Sequence, residues 1–156
     1  MAIAYTVEKY LDLHHIPYEI LSHPRTTTSL KTAEAANIGA DRLAKAVLLE
    51  DKGGYMIAVL PASHHLVLRE LRSQTGRSVR MATEDEISGL FKDCERGAVP
   101  ALGPAYGLDT VCDDSLAEQP DVYFEAGDHH ELIHVDREQF LALLGAAGHG
   151  RFSSHL

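Results

Sequence analysis

Leu43-Ala44-Lys45-Ala46-Val47-Leu48-Leu49-Glu50-Asp51-Lys52-Gly53-Gly54-Tyr55-Met56-Ile57-Ala58-Val59-Leu60-Pro61 is the stretch that decides the fold class. Its first run is continuously apolar from Ala46 to Leu49, the pattern of a strand covered on both faces. Lys52-Gly53-Gly54 is turn chemistry, and a second apolar run follows it at once. The two runs therefore read as an antiparallel hairpin at the centre of a sheet. Lys45 interrupts the pattern. An unpaired buried ammonium is costly, so this side chain needs either an exit to water or an anionic partner.

Working outward, Val122-Tyr123-Phe124-Glu125-Ala126 and Glu131-Leu132-Ile133-His134-Val135 flank Gly127-Asp128 and read as a second hairpin. Residues 16–21 form an apolar run with Pro17 near its start, which suits a strand at the sheet margin. Residues 78–82 and 108–113 add strands. Between them the spacing predicts helices: one capped by Thr6 with Val7, Tyr10 and Leu11 on its apolar side, one over 32–38 stopped by Gly39, and a short one over 66–72 ended by Gly76. Thr83 with Glu86 forms a capping box opening a helix through Ile87, Leu90 and Phe91. Asp136 with Gln139 opens the last helix, which Gly145 ends. Residues 114–120 read as an acidic connector. Hairpins interspersed with helices give an α+β domain with a mixed, mostly antiparallel sheet. We expect a single domain over residues 1–145 and a flexible tail over 146–156, which holds Gly, Ser and His.

With 156 residues the chain is the size of one domain with one core. No apolar run approaches the ~20 residues of a membrane span, and the N-terminal residues lack a basic stretch followed by an apolar one, so no membrane association and a cytoplasmic location are expected. Cys94 and Cys112 are expected to be reduced thiols. The formal charge of −9 argues against wrapping a nucleic-acid duplex, and leaves room only for local contact with a nucleic-acid end.

Cys94-Glu95-Arg96-Gly97-Ala98-Val99-Pro100-Ala101-Leu102-Gly103-Pro104-Ala105-Tyr106-Gly107 carries three glycines and two prolines, a loop of enforced shape and bare backbone. Such a loop serves either as a rigid connector or as a set of amides that hold a carbonyl, phosphate or carboxylate. Thr28 and Ser29, at the end of a hydroxyl-rich segment, suit either helix capping or ligand contact. Ten histidines raise the question of a metal-dependent hydrolase. The pairs His64–His65 and His130–His134 have poor spacing for one, the latter being roughly 13 Å apart on a strand. No His-Glu-x-x-His helix is present, and neither a metal nor a cofactor is expected. A Gly-x-Ser-x-Gly elbow, a cysteine-nucleophile signature and a Walker-type phosphate loop are also missing.

Taken together, His23 with Thr28-Ser29, Glu34-Ala35-Ala36, Ala44-Lys45-Ala46-Val47-Leu48, Gly97-Ala98-Val99-Pro100 with Gly103, and Ala126-Gly127-Asp128 resemble the YbaK family of free-standing editing domains, related to the insertion domain of bacterial prolyl-tRNA synthetases. The likeness spans residues 16–144. It implies a barrel-like mixed sheet with surrounding helices and hydrolysis of the ester in mischarged aminoacyl-tRNA. The partners implied are the 3′ aminoacyl end of tRNA and an aminoacyl-tRNA synthetase. Lys45 matches the family's strand lysine. The family's Gly-x-x-x-Pro loop corresponds to Gly97, Ala98, Val99, Pro100, Ala101, Leu102 and Gly103, with Arg96 at the family glycine's place and Ala46 where the alanine-removing branch has asparagine. Asp128 and His130, with Thr28 and Ser29, border the implied pocket, although capping, turn formation and a surface histidine describe them equally well. A non-catalytic module binding a small ligand or a tRNA end is the alternative.

Overall fold

The computed structural model describes residues 3–156. The central hairpin consists of β2 (Leu43–Asp51) and β3 (Gly54–Pro61), paired antiparallel from Ala44 opposite Pro61 to Asp51 opposite Gly54. Gly54, at φ +131°, supplies the turn conformation that an L side chain resists. The alternation of β2 and β3 explains the unbroken apolar run. Leu48, Ile57 and Val59 belong to a core with Phe91, Leu102, Phe124 and Phe140, whereas Leu49, Met56 and Ala58 belong to a second one with Leu71, Val79 and Phe152. Each face of the hairpin thus has its own cover, as a continuous hydrophobic strand requires.

Around the hairpin lie β1 (Glu19–Ser22), β4 (His64–Leu66), β5 (Arg80–Met81), β6 (Asp109–Asp113), β7 (Asp121–Glu125), β8 (Glu131–Asp136), β9 (Gly148–Gly150) and β10 (Ser153–His155). The main sheet runs β1-β8-β7-β2-β3-β6-β9, with β5 added on β2, and β4 pairs with β10 in a separate ribbon. The second hairpin, β7–β8, joins the first through a parallel contact that sets Leu43 opposite Tyr123 and Ala44 opposite Phe124. Mixed pairing follows, since β6 and β9 also run parallel to their neighbours. β1 sits at the margin, in line with Pro17 just before it.

Among the described residues, six α-helices flank the sheet: α1 (Tyr5–Leu13), α2 (Ser29–Ala35), α3 (Leu68–Thr75), α4 (Glu84–Leu90), α5 (Asp114–Ala117) and α6 (Arg137–Leu144). Both capping boxes form as the sequence implies, at Thr83 with Glu86 and at Asp136 with Gln139. Gly76 and Gly145, each with positive φ, end α3 and α6. Other boundaries differ. Ala4, not Thr6, precedes the first turn of α1, and the Thr6 amide donates to Asp93 Oδ2 at 2.8 Å. α2 starts earlier, with Thr28 as its cap, and it ends at a left-handed Asn37 before Gly39 is reached. The acidic connector contains α5, because the Asp113 side chain accepts from the Ser115 amide and caps a short turn.

Residues 146–156, expected as a flexible tail, are instead built into the fold. β9 extends the main sheet and β10 pairs with β4. The reason is Phe152, which is 2% exposed in the second core, while its amide donates to Asp113 Oδ2 at 2.9 Å and its carbonyl accepts from Val67.

Candidate active site

Lys45 lies on β2 immediately after the residues that pair with β7. Continuing the register of Leu43–Tyr123 and Ala44–Phe124 brings Lys45 level with Glu125. Both line a cleft of about 160 Å³ together with Ser29, Ala46, Glu84, Ile87, Gly97 and Val99. The cleft therefore draws on both hairpins, the start of α2, the first turns of α4 and the glycine-proline loop.

The lysine is half-buried and donates from Nζ to the His64 carbonyl at 2.5 Å. Burial pushes its amine below the usual lysine range. Glu125 is 8% exposed, and its Oε2 has no hydrogen-bond partner among the described residues. Burial, reinforced by the charge of Asp128, raises its carboxyl to about 7, with the Thr32 hydroxyl working in the opposite direction. A carboxyl raised toward neutrality that lines the same cleft as a lysine is an arrangement general acid–base chemistry can use. Two further unpartnered buried polar atoms, His23 Nε2 and Asp128 Oδ2, belong to segments that meet beside it, since the His23 amide bonds the His130 carbonyl. Three of the four such atoms among the described residues thus lie at this end of the sheet, and the fourth, Asp121 Oδ1, is 3.2 Å from the Arg42 guanidinium.

Among the residues singled out from the sequence, Lys45, Ser29, Gly97 and Val99 come together in the cleft. Thr28 stands just outside it, as the cap of α2, accepting from the Lys31 amide at 3.2 Å. Ala98, Pro100, Ala101, Leu102 and Gly103 are buried behind the loop. The Ala98 amide is engaged by the Glu95 carbonyl, and a Cβ on Gly103 would lie 1.9 Å from Thr110 Oγ1. These five shape the loop from within. Asp128 closes the β7–β8 turn by accepting the His130 and Glu131 amides at 2.9 and 3.0 Å, and the His130 side chain is exposed. Arg96 directs its guanidinium away to Asp85 at 3.1 Å, an exposed pair.

Sequence reading did not single out Glu125 or His129. His129 is buried at φ +64°, and its Nε2 bonds the Arg96 carbonyl. Gly97, at φ +82°, packs so closely that an added Cβ would stand 3.1 Å from His129 Cε1. The histidine therefore fixes the loop at the point where it borders the cleft. For Glu125 the available signal was a charged residue ending an apolar strand just before Gly127. Cys94 and Cys112 are free thiols raised to about 12 by burial, so neither is a ready nucleophile. A larger hollow of about 400 Å³ lies near Arg77, but that guanidinium is held by Asp51 at 2.8 Å and Asp109 at 3.3 Å.

A mixed sheet of eight strands with six helices and one cleft joining a lysine to a carboxyl defines a small α+β domain with a ligand-sized site. The chain belongs to the aminoacyl-tRNA editing domain family, whose model matches residues 23–143. It is similar to a crystal structure described as a candidate trans-editing enzyme for prolyl tRNA synthetase, at 23% identity and a TM-score of 0.82, covering 97% of this chain and 96% of that one. It is also similar to a candidate signal transduction protein from Marinobacter aquaeolei VT8, at 23% identity and a TM-score of 0.80, covering 97% of this chain and 31% of that longer one. No curated protein matches the sequence.

Proposed function

We propose that the protein is a trans-acting deacylase that hydrolyses the ester of mischarged aminoacyl-tRNA. The observation that carries the reading is the convergence of Lys45, Glu125 and the Gly97–Val99 edge on one narrow cleft. Its volume, about 160 Å³, lies below the range of ~300–1,000 Å³ typical of drug-sized ligand pockets. A small aminoacyl group suits that space, with the terminal adenosine outside.

An aminoacyl ester is already activated, so a protein nucleophile is not required. Water attacks the ester carbonyl while the Glu125 carboxylate takes its proton. The Lys45 ammonium stabilises the oxyanion that forms, and the loop orients the carbonyl. Collapse of the tetrahedral intermediate breaks the ester C–O bond. The ribose oxygen leaves with the proton returned by Glu125, giving a free amino acid and uncharged tRNA. Acidic overall charge fits contact with the 3′ end alone, with a synthetase partner supplying tRNA choice.

A panel of mischarged tRNAs incubated with wild type and Lys45→Ala tests this. We expect hydrolysis of tRNAs carrying small amino acids and a loss of about 10²–10³-fold in kcat/KM for Lys45→Ala. No hydrolysis of any member by wild type would sink the proposal, and tight binding without turnover would establish the non-catalytic module instead.

A further inference from the structure

Next to Lys45, whose Nζ donates to the His64 carbonyl, the C-terminal strand creates a cluster of side chains that the proposed chemistry does not use. In the β4–β10 ribbon, His155 is paired directly with His64, and residues directly opposite in an antiparallel pair share a face. Their rings lie 5.2 Å apart at 60°. Asp41, from the 3-10 turn Ala40–Arg42, completes the group, with Oδ1 3.7 Å from His155 Nε2. One ligand atom from each of the three lies within 4.8 Å of the others.

Hydrogen bonds around the cluster orient these groups. His155 Nδ1 lies 3.0 Å from the Leu156 carbonyl, which only accepts, so Nδ1 carries the proton and Nε2 keeps its lone pair. His64 Nδ1 is 2.9 Å from Ser153 Oγ, which leaves its Nε2 as the outward nitrogen. The Ser63 hydroxyl donates to Asp41 Oδ1. Ligand histidines characteristically have their second nitrogen engaged in this way.

We infer that Asp41, His64 and His155 form a binding site for one divalent transition-metal ion of the zinc class, which pins the C-terminal strand to the body of the fold. Two imidazoles and a carboxylate suit zinc, cobalt or nickel, not magnesium or calcium, which take oxygen ligands. Tetrahedral zinc with bonds of ~2.0–2.1 Å holds its ligand atoms roughly 3.3 Å apart. From 4.8 Å at most, the cluster must therefore tighten by up to about 1.5 Å, within reach of the exposed Asp41 and His155 side chains by rotamer adjustment. The fourth position is left to water. Sequence spacing hides the site, because His155 follows His64 by some ninety residues and meets it only through strand pairing.

Calorimetric titration of the full chain, stripped with chelator, tests the inference with ZnCl₂ and, separately, MgCl₂. We expect one Zn²⁺ per chain at micromolar Kd or tighter and no Mg²⁺ uptake at the same concentrations. His64→Ala, His155→Ala and Asp41→Asn should each weaken zinc at least tenfold, while His65→Ala, on the other face of β4, should leave it unchanged. Should the ligand variants unfold, Co²⁺ added to wild type supplies the reading, through visible bands of tetrahedral intensity at one equivalent. Absence of both zinc binding and cobalt bands in wild type overturns the site. So does zinc binding that survives all three replacements, which would assign it to the other histidines.

Discussion

Lys45 and Glu125 stand level with one another on adjacent parallel strands, one step beyond the Ala44–Phe124 pair, and line the same cleft. Eighty residues separate them in sequence. Their protonation is driven in opposite directions, since burial lowers the lysine and raises the carboxyl to about 7. Both shifts favour the neutral form, as burial of a titratable group does, and they bring the two pKa values closer together.

The first prediction concerns the pH dependence of deacylation. Glu125 acts as base only when ionised, and the groups facing it are Asp128, which raises its pKa, and Lys45 and Glu84 across the cleft. After subtraction of the spontaneous hydrolysis rate, kcat/KM should rise with pH below about 7 and level off above it. Glu125→Gln should lose about 10²–10⁴-fold and flatten the profile. A profile already flat in wild type between pH 5.5 and 8, roughly the span over which such a base titrates, assigns the base elsewhere.

Glu125 should also be visible in stability, independently of any substrate. A carboxyl raised from 4.5 to about 7 on folding binds more protons folded than unfolded. Its ionisation therefore destabilises the fold progressively as pH climbs through that interval, at a cost on the order of 3 kcal/mol once both states are ionised. Glu125→Gln removes the ionisation and should raise Tm more at pH 8 than at pH 5. Equal shifts at the two pH values would mean that the carboxyl is not held protonated.

Gly97 joins the loop to the cleft through backbone shape. At φ +82° and with His129 Cε1 3.1 Å from an added Cβ, it tolerates no side chain without adjustment. Gly97→Ala should cost about 1–2 kcal/mol from the left-handed conformation, with a further penalty as His129 gives way. Urea denaturation measures it, and a loss under 0.3 kcal/mol, within the scatter of ordinary surface changes at about ±0.5 kcal/mol, would show that the loop relaxes freely.

Local chemistry made the skeleton legible and long-range pairing hid the rest. The apolar runs of β2 and β3, the turn at Gly53-Gly54 and the two capping boxes each act within a few residues, and each forms where the sequence implies. Lys45 stood out because a charge in an apolar strand needs a reason. Glu125 ends its strand without breaking any pattern, and only the parallel β2–β7 contact gives it a role. The loop illustrates a different limit. Its glycines and prolines announced a fixed shape, but which residues face the cleft and which face the core depends on packing against α1 and β6, not on composition.

The C-terminal segment shows how one residue overrides a compositional reading. Gly, Ser and His over 146–156 describe a mobile tail, yet Phe152 is buried with Leu49, Met56, Leu71 and Val79 against the far face of the hairpin. Removing a buried phenylalanine ring costs about 3–5 kcal/mol, which is a large share of the ~5–15 kcal/mol that holds an ordinary domain together. Phe152→Ala should therefore shift the urea midpoint strongly. It should also raise hydrogen exchange at the Val67 and Leu156 amides, which bond the Phe152 and Ser63 carbonyls. Phe152→Leu, which keeps most of the apolar volume, should recover a large part of the loss. A Phe152→Ala variant within about 1 kcal/mol of wild type, below even the mildest core truncations to alanine at ~2 kcal/mol, would mean that the segment contributes little to the second core and that β9 and β10 can detach without unfolding the sheet.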